Sequence, residues 1–289
     1  PRLNATLGHA VSLVERLRET ARAVRKDVFF FDNGDINDGT GLSATHQNHV
    51  DHLAPIMRAA PYDALNIGNH ELYQLDSKGA IQGNACAIVG LRDSGYIASW
   101  GGRYLTSNVV WAGTGPDGGQ PVGSRFTVLR GDFGTQLLVF GFLYNMGDHC
   151  TAVEVEDVAT VVSSGWFLDA LQRHGAESSA VVVLAHMDYR EPLVDIIFQA
   201  IRRAVGDQKP IQVLAGHSHI RGWRPLDSHA MVYEAGCKLD TLGFVSMTRD
   251  SERLRISHTD LDGNTAVFAG AAGTGVDALL TPQGEEVNR

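Results

Sequence analysis

The sequence has 289 residues and a mass of 31.2 kDa, room for two ordinary domains or one large α/β domain. Hydrophobic residues make up 44% and charged residues 20%, which excludes a disordered chain. Lys+Arg is 24 against Asp+Glu 33, so the formal charge is −9, which argues against a protein that coats nucleic acid or lies on a membrane surface. A phosphate substrate stays open, because bound cations can invert the local field.

Leu7 to Arg25 carries apolar residues at helical spacing and predicts a helix. Asp27 to Phe31 reads as a short buried strand, followed by turn chemistry from Asp32 to Gly41. His46 to Ala59 reads as a helix broken or bent at Pro55 and stopped before Pro61. Strands are expected at Ala64–Ile67, Tyr104–Thr106, Phe126–Leu129 and Gln136–Phe142. Residues 112–124 form a Gly/Pro-rich loop. Val153 to His174 reads as mostly helix, Val181–Leu184 as a buried strand, Leu193–Val205 as helix and Ile211–Leu214 as another buried strand. Short strands follow from Met231 to Arg255, and the Gly/Ala-rich stretch from about Asp262 is expected to pack loosely. Alternating β and α with apolar strands implies an α/β fold with helices covering the sheet faces, and the all-strand tail suggests a second, more antiparallel sheet.

The three cysteines, Cys86, Cys150 and Cys237, are too few and too scattered for a disulfide scaffold or a thiolate zinc site, and give no reading of redox compartment. The apolar run Leu137–Tyr144 is far too short to span a bilayer. The chain opens on Pro1, so the expectation is that something upstream has been removed.

Four polar clusters follow predicted strands: Gly34-Asp35, Gly68-Asn69-His70-Glu71, His186, and Gly216-His217-Ser218-His219. In an open α/β sheet, ligands bind where loops leave the carboxyl ends of strands. Each cluster alone is weak. Together they supply a carboxylate, an amide oxygen and several imidazoles, a nitrogen and oxygen donor set suited to Zn, Mn or Fe. Two cations roughly 3.5–4 Å apart need a bridging carboxylate, which Asp35 can be. Imidazoles fill outer positions without adding negative charge, Asn69 is a neutral oxygen ligand, and His70 can reach a leaving group as acid or cationic stabiliser.

At these residues the sequence resembles the calcineurin-like metallophosphoesterases, in the 5′-nucleotidase-like branch and particularly its fungal-type members. The run Gly34-Asp35-Ile36-Asn37-Asp38-Gly39-Thr40-Gly41-Leu42-Ser43 is similar to their G-D-x-x-D-G-x-G-L-S loop. Ala185-His186-Met187, Gly216 to Arg221, Glu234-Ala235-Gly236 and Leu242 to Ser246 are similar to their later blocks, so the likeness runs from about Gly8 to Met247. The resemblance implies a four-layer α/β/β/α sandwich with a two-metal site, the ions being Zn, Mn, Fe or Mg. It implies that Asp35 bridges both ions, that Asn69, His186 and His217 complete the second site, that His219 belongs to the first, and that His70 is the catalytic histidine. It also implies a metal-bound hydroxide attacking a small phosphomonoester, such as a nucleotide, in line. Secreted or vacuolar relatives are common in this branch.

One departure stands out. The family's opening D-x-H motif is absent, since no such triplet precedes Asp35. The expectation is therefore that a partner or an upstream fragment supplies the missing strand, or that the first metal site has degenerated and the fold serves as a non-catalytic scaffold. Residues 1–260 are read as the catalytic domain and 261–289 as a tail. Glu71 reads equally as a partner of a ligand histidine or as a helix-start carboxylate. Arg190 and Arg221 read as phosphate grips or as surface ion pairs, His46, His49 and His52 as a polar helix face, and His149 and Cys150 as part of a polar loop near the pocket.

Overall fold

The computed structural model describes residues 6–36, 50–73, 86–239, 241–247, 255–260 and 265–268. In chain order these form α1 (Leu7–Ala23), β1 (Phe31–Asp32), α2 (Val50–Ala59), β2 (Ala64–Asn66), a 3₁₀ turn (His70–Leu72), α3 (Ala87–Asp93), α4 (Tyr96–Ser99), β3 (Tyr104–Leu105), β4 (Val109–Trp111), β5 (Phe126–Arg130), β6 (Gln136–Leu143) and β7 (Val153–Val155). The chain continues through α5 (Val158–Val161), α6 (Gly165–His174), β8 (Ala180–His186), α7 (Pro192–Val205), β9 (Ile211–Ala215), β10 (Arg221–Asp227), β11 (Ala230–Ala235), β12 (Thr241–Ser246), β13 (Arg255–Asp260) and β14 (Thr265–Phe268).

Two sheets form the centre. The smaller is parallel, in the order β1-β2-β3. The larger runs β10-β11-β9-β8-β6-β5, parallel through β11, β9, β8 and β6 with an antiparallel strand at each edge. The strand β8 is buried along its whole length, as a strand covered on both faces must be. Its side chains alternate. Val181, Val183 and Ala185 pack with Phe167, Leu171, Ile197 and Ile201 of α6 and α7, whereas Ala180, Val182 and Leu184 meet Ala64 and Leu105 of the smaller sheet. Residues of β6 divide the same way, Leu138 and Phe140 outward and Leu137 and Val139 inward. On the far side, Met57, Ile88, Leu91 and Tyr96 of α2, α3 and α4 cluster with Leu65, Ile67 and Tyr104. The fold is thus a four-layer α/β/β/α sandwich.

Several expectations differ from the structure. The strand expected over 27–31 pairs only at Phe31 and Asp32. At Phe30 the backbone N–H goes to the Asp63 carboxylate (2.6 Å) and the carbonyl to the Asp63 N–H (2.7 Å), so a side chain has replaced the ladder. The helix α2 runs through Pro55 without a break within its described span. Val153–Val155 is a strand paired antiparallel with β4, because two β-branched residues flanking Glu154 suit a half-buried ribbon. The helix expected there becomes two short ones, the first capped by Asp157, whose carboxylate accepts from the Thr160 N–H (2.8 Å). Thr265–Phe268 is the third strand of an antiparallel sheet β12-β13-β14, within the stretch expected to be loose.

Cys86 and Cys150 form a disulfide across a sequence separation of 64, correcting the expectation of no disulfide framework. Cys86 caps α3 and Cys150 follows β6, and both are buried, so a distant pairing was built that spacing alone does not reveal. The His46 and His49 readings lie outside the described residues, as do Asp38 to Ser43. No helix among the described residues is long and apolar enough to cross a membrane.

Candidate metal centre

Because β1, β2, β8 and β9 are parallel within their sheets, their carboxyl ends gather at one edge. Two buried amides stitch the sheets together there. Asn66, 1% exposed, directs Nδ2 to Asn33 Oδ1 (3.1 Å) and to the carbonyls of Phe142 (2.9 Å) and Leu184 (3.1 Å). Asn33 in turn donates Nδ2 to the carbonyls of Ala185 (3.1 Å) and Leu214 (2.9 Å). One pair of side chains therefore ties the ends of β1 and β2 to those of β6, β8 and β9.

Four donor side chains converge beside this seam. His186 Nδ1 lies 2.7 Å from the Asn33 carbonyl, so Nδ1 carries the proton. That leaves Nε2 facing Asp35 Oδ2 at 3.0 Å and Asn69 Oδ1 at 2.9 Å. Asn69 Oδ1 is also 2.9 Å from His217 Nδ1. Ligand atoms of Asp35, His186 and His217 all lie within 4.8 Å of one another. Lewis bases pointed at one another in this way suit a cation between them, and the carbonyl behind His186 is the outer partner that such imidazole ligands require. The donor set fits a divalent transition metal.

The loops that carry these groups are held tightly. A Cβ at Gly34 would run into the backbone of Ile67 and Gly68, and a Cβ at Gly68 would run into Asp35, so the first two loops approach this closely only because both positions are glycine. Glu71, 0% exposed, clamps the same loops by accepting the N–H groups of Asp35 (2.9 Å) and Gly68 (2.7 Å). It also lies in the first turn of the short helix His70–Leu72. The His70 N–H donates to Asp35 Oδ1 (2.9 Å). Asp35, His217 and His219 have left-handed φ of 59°, 76° and 62°, backbone strain of the kind that collects at functional sites. Glu234, fully buried, accepts from the Ser218 hydroxyl at 2.8 Å and so anchors the His217–His219 loop.

Burial tends to raise the Asp35 carboxyl, but its hydrogen bond and ion pair with His186 and the His70 N–H outweigh that and hold it below the usual value. Burial drags the His186 imidazole down while Asp35 pulls it up, and the net direction is up. Burial, reinforced by the Asp35 charge, pushes Glu71 up to about 7. Burial pushes Asp32 up to about 6, against the Gly34 N–H. His217 is lowered by burial and by the neighbouring His186.

With the site's geometry in view, the chain's likeness to other proteins has a frame. It is similar to a crystal structure of 5′-nucleotidase from Candida albicans SC5314, with a TM-score of 0.77 and 25% identity, over 89% of this chain and 48% of that one. The fold is metallophosphoesterase-like. Curated relatives include uncharacterized protein C1039.02 of Schizosaccharomyces pombe, 30% identical over 85% of this chain and 39% of its own length. They also include a secreted protein of Arthroderma benhamiae (27% identical, 86% of this chain, 36% of its own) and uncharacterized protein YHR202W of Saccharomyces cerevisiae (26%, 92% and 44%). The chain thus spans less than half the length of these relatives. No family model matches it.

Within this metallophosphoesterase-like frame, Asp35, Asn69, His186 and His217 come together, and His70 adjoins them through Asp35. His219 lines the same cavity but stands outside the three-residue cluster, so the described residues form one candidate metal group where two sites were expected. Arg190 forms a bidentate pair with Asp188 (2.9 and 2.6 Å), the surface-pair reading. His149 Nδ1 meets the Cys150 carbonyl (3.1 Å), and Arg221 lies on β10. Asn33, Asn66 and Tyr144 do not stand out in the sequence. An asparagine inside the apolar run Ala64–Ile67 is the available signal for Asn66, since a buried amide needs partners.

Proposed function

We propose that the chain is a metal-dependent phosphohydrolase acting on a small phosphomonoester, with a nucleotide as the leading candidate class. The observation that carries this reading is the convergence of the Asp35, Asn69, His186 and His217 donor atoms on one point. A divalent ion bound there supplies Lewis-acid charge for phosphoryl oxygens and acidifies water. Asp35 and Asn69 bring the oxygen donors from the smaller sheet, and His186 and His217 bring the imidazoles from the larger. His70 follows Asn69 directly, and its Nδ1 is buried without a hydrogen-bond partner in the described structure. Such an orphan is a common mark of a catalytic group, and here it suits proton delivery to a leaving oxygen. His219 is assigned to a second ion.

A cavity of about 1060 Å³ leads away from Asp35 and His219 between the two sheets, walled by Phe29, Phe31, Val182, Leu214 and Val245. It borders β1, the edge strand of the smaller sheet. An edge with no partner strand among the described residues, beside an apolar groove, is a receptor for an extended segment. We assign to it a strand from a partner or from a longer form of the chain, bringing further ligands to the second ion.

The second reading, a non-catalytic scaffold with one metal site, draws on the single three-residue cluster. Elemental analysis and turnover of p-nitrophenyl phosphate and nucleoside monophosphates separate the two. The phosphohydrolase reading expects bound metal, no turnover in Asp35→Asn, and a roughly hundredfold or larger loss in His70→Ala with metal retained. Metal-loaded protein that releases no phosphate from any of these esters would hand the assignment to the scaffold.

A further inference from the structure

The strand β6 also ends at the site edge, and the residue that follows it is Tyr144. Its N–H donates to the His186 carbonyl (3.3 Å). Its ring lies over the His217 imidazole, with centroids 4.6 Å apart and planes inclined by 33°. Tyr144 and Tyr73 pack against one apolar cluster. The Tyr73 ring meets His70 edge-on at 5.7 Å and 76°. Two tyrosines therefore span the gap between a candidate metal ligand on one loop and the candidate proton donor on another.

His217 needs such support. It is exposed and sits on a loop with left-handed backbone. Its Nδ1 contact with Asn69 fixes one atom of the ring but not rotation about that contact. A ring packed over its face removes the remaining freedom. The loops that carry Tyr144 and Tyr73 are tied to each other, because the Cys150 N–H donates to the Leu72 carbonyl (3.1 Å) and Cys150 is bridged to Cys86.

We propose that Tyr144 is a positioning residue that holds the His217 imidazole in its ligating orientation by the packing of its ring. The kinetic part of this inference rests on the phosphohydrolase reading; the geometric part does not.

Two variants test it: Tyr144→Leu removes the ring, and Tyr144→Phe keeps the ring and loses the hydroxyl. Metal-free protein is followed by imidazole ¹H–¹⁵N spectra, Mn²⁺ binding by calorimetry, and turnover by phosphate release. Tyr144→Leu should shift the His217 ring signals and weaken Mn²⁺ binding by roughly two- to tenfold. Tyr144→Phe should restore both, and turnover should follow Mn²⁺ affinity in the two variants.

Unchanged His217 signals and Mn²⁺ affinity in Tyr144→Leu would overturn the proposal. If that variant fails to fold, Tyr144→Phe carries the test, and displaced His217 signals in it would overturn the ring-packing account. Wild-type protein that binds no Mn²⁺, or binds it without releasing phosphate, would instead sink the functional reading, while the metal-free spectra would still decide the role of Tyr144.

Discussion

Removing the Asn66 amide should loosen the molecule and its candidate metal centre together. The residue is 1% exposed, and its Nδ2 serves three oxygens, on Asn33, Phe142 and Leu184. Asn66→Ala loses two amide hydrogens, each contributing about 1 kcal/mol net, and leaves buried oxygens short of a donor at a further ~1–3 kcal/mol where no water reaches them. The expected destabilisation is about 2–5 kcal/mol, a large fraction of the ~5–15 kcal/mol stability of an ordinary domain. Urea unfolding, read as a lower midpoint at constant slope, measures it. The same variant should weaken Mn²⁺ binding. Asp35 and Asn69 ride on the smaller sheet and His186 and His217 on the larger, so slack in the seam moves the two halves of the donor set apart. In a double-mutant cycle, Asn33→Ala and Asn66→Ala should couple by ~0.5–3 kcal/mol, as members of one network do. A midpoint shift worth less than about 1 kcal/mol, with metal affinity unchanged, would refute the reasoning: the seam would then be incidental to both stability and site.

Two more outcomes follow. The Cys86–Cys150 bridge closes a long loop (sequence separation 64), for which chain entropy gives roughly 4 kcal/mol, so paired Cys→Ser replacement should lower the urea midpoint markedly. No measurable shift would mean that the reduced chain already holds that loop closed. In metal-free protein, Asp32 has its folded pKa raised to about 6 from 3.8 by burial, so it favours folding fully below about 3.8 and loses that contribution as pH rises through 6. The Asp32 contribution should therefore decline by at most about 3 kcal/mol between pH 4 and 7, and Asp32→Asn should lessen the protein's decline by that part; an equal slope in both proteins would rule the carboxyl out as a source.

What the sequence makes legible is governed by local regularity. The buried strands β8 and β9 are readable because short, largely apolar runs rich in Val and Ile suit a strand covered on both faces, even with Gln212 inside the second. The strand-end motifs are readable because polar residues at glycine turns break those runs sharply. The segment 153–155 misleads because its partner, β4, lies some forty residues away and period alone cannot show a distant ribbon. Tyr144 carries no local signature and Asn66 only its place inside an apolar run, and their roles exist only once two sheets face each other. The disulfide is hidden for the same reason.

The contact between Gly34 and Gly68 bears on how descendants of such a chain are to be judged. Each glycine excludes a side chain at the other's doorstep, so neither position can drift alone, whatever the loops are used for. Selection for mere foldability would preserve both. A copy that had abandoned chemistry would keep these two glycines while Asp35, His70 and His217 wandered, so retained glycines testify to architecture, and only the side chains beside them testify to a living enzyme.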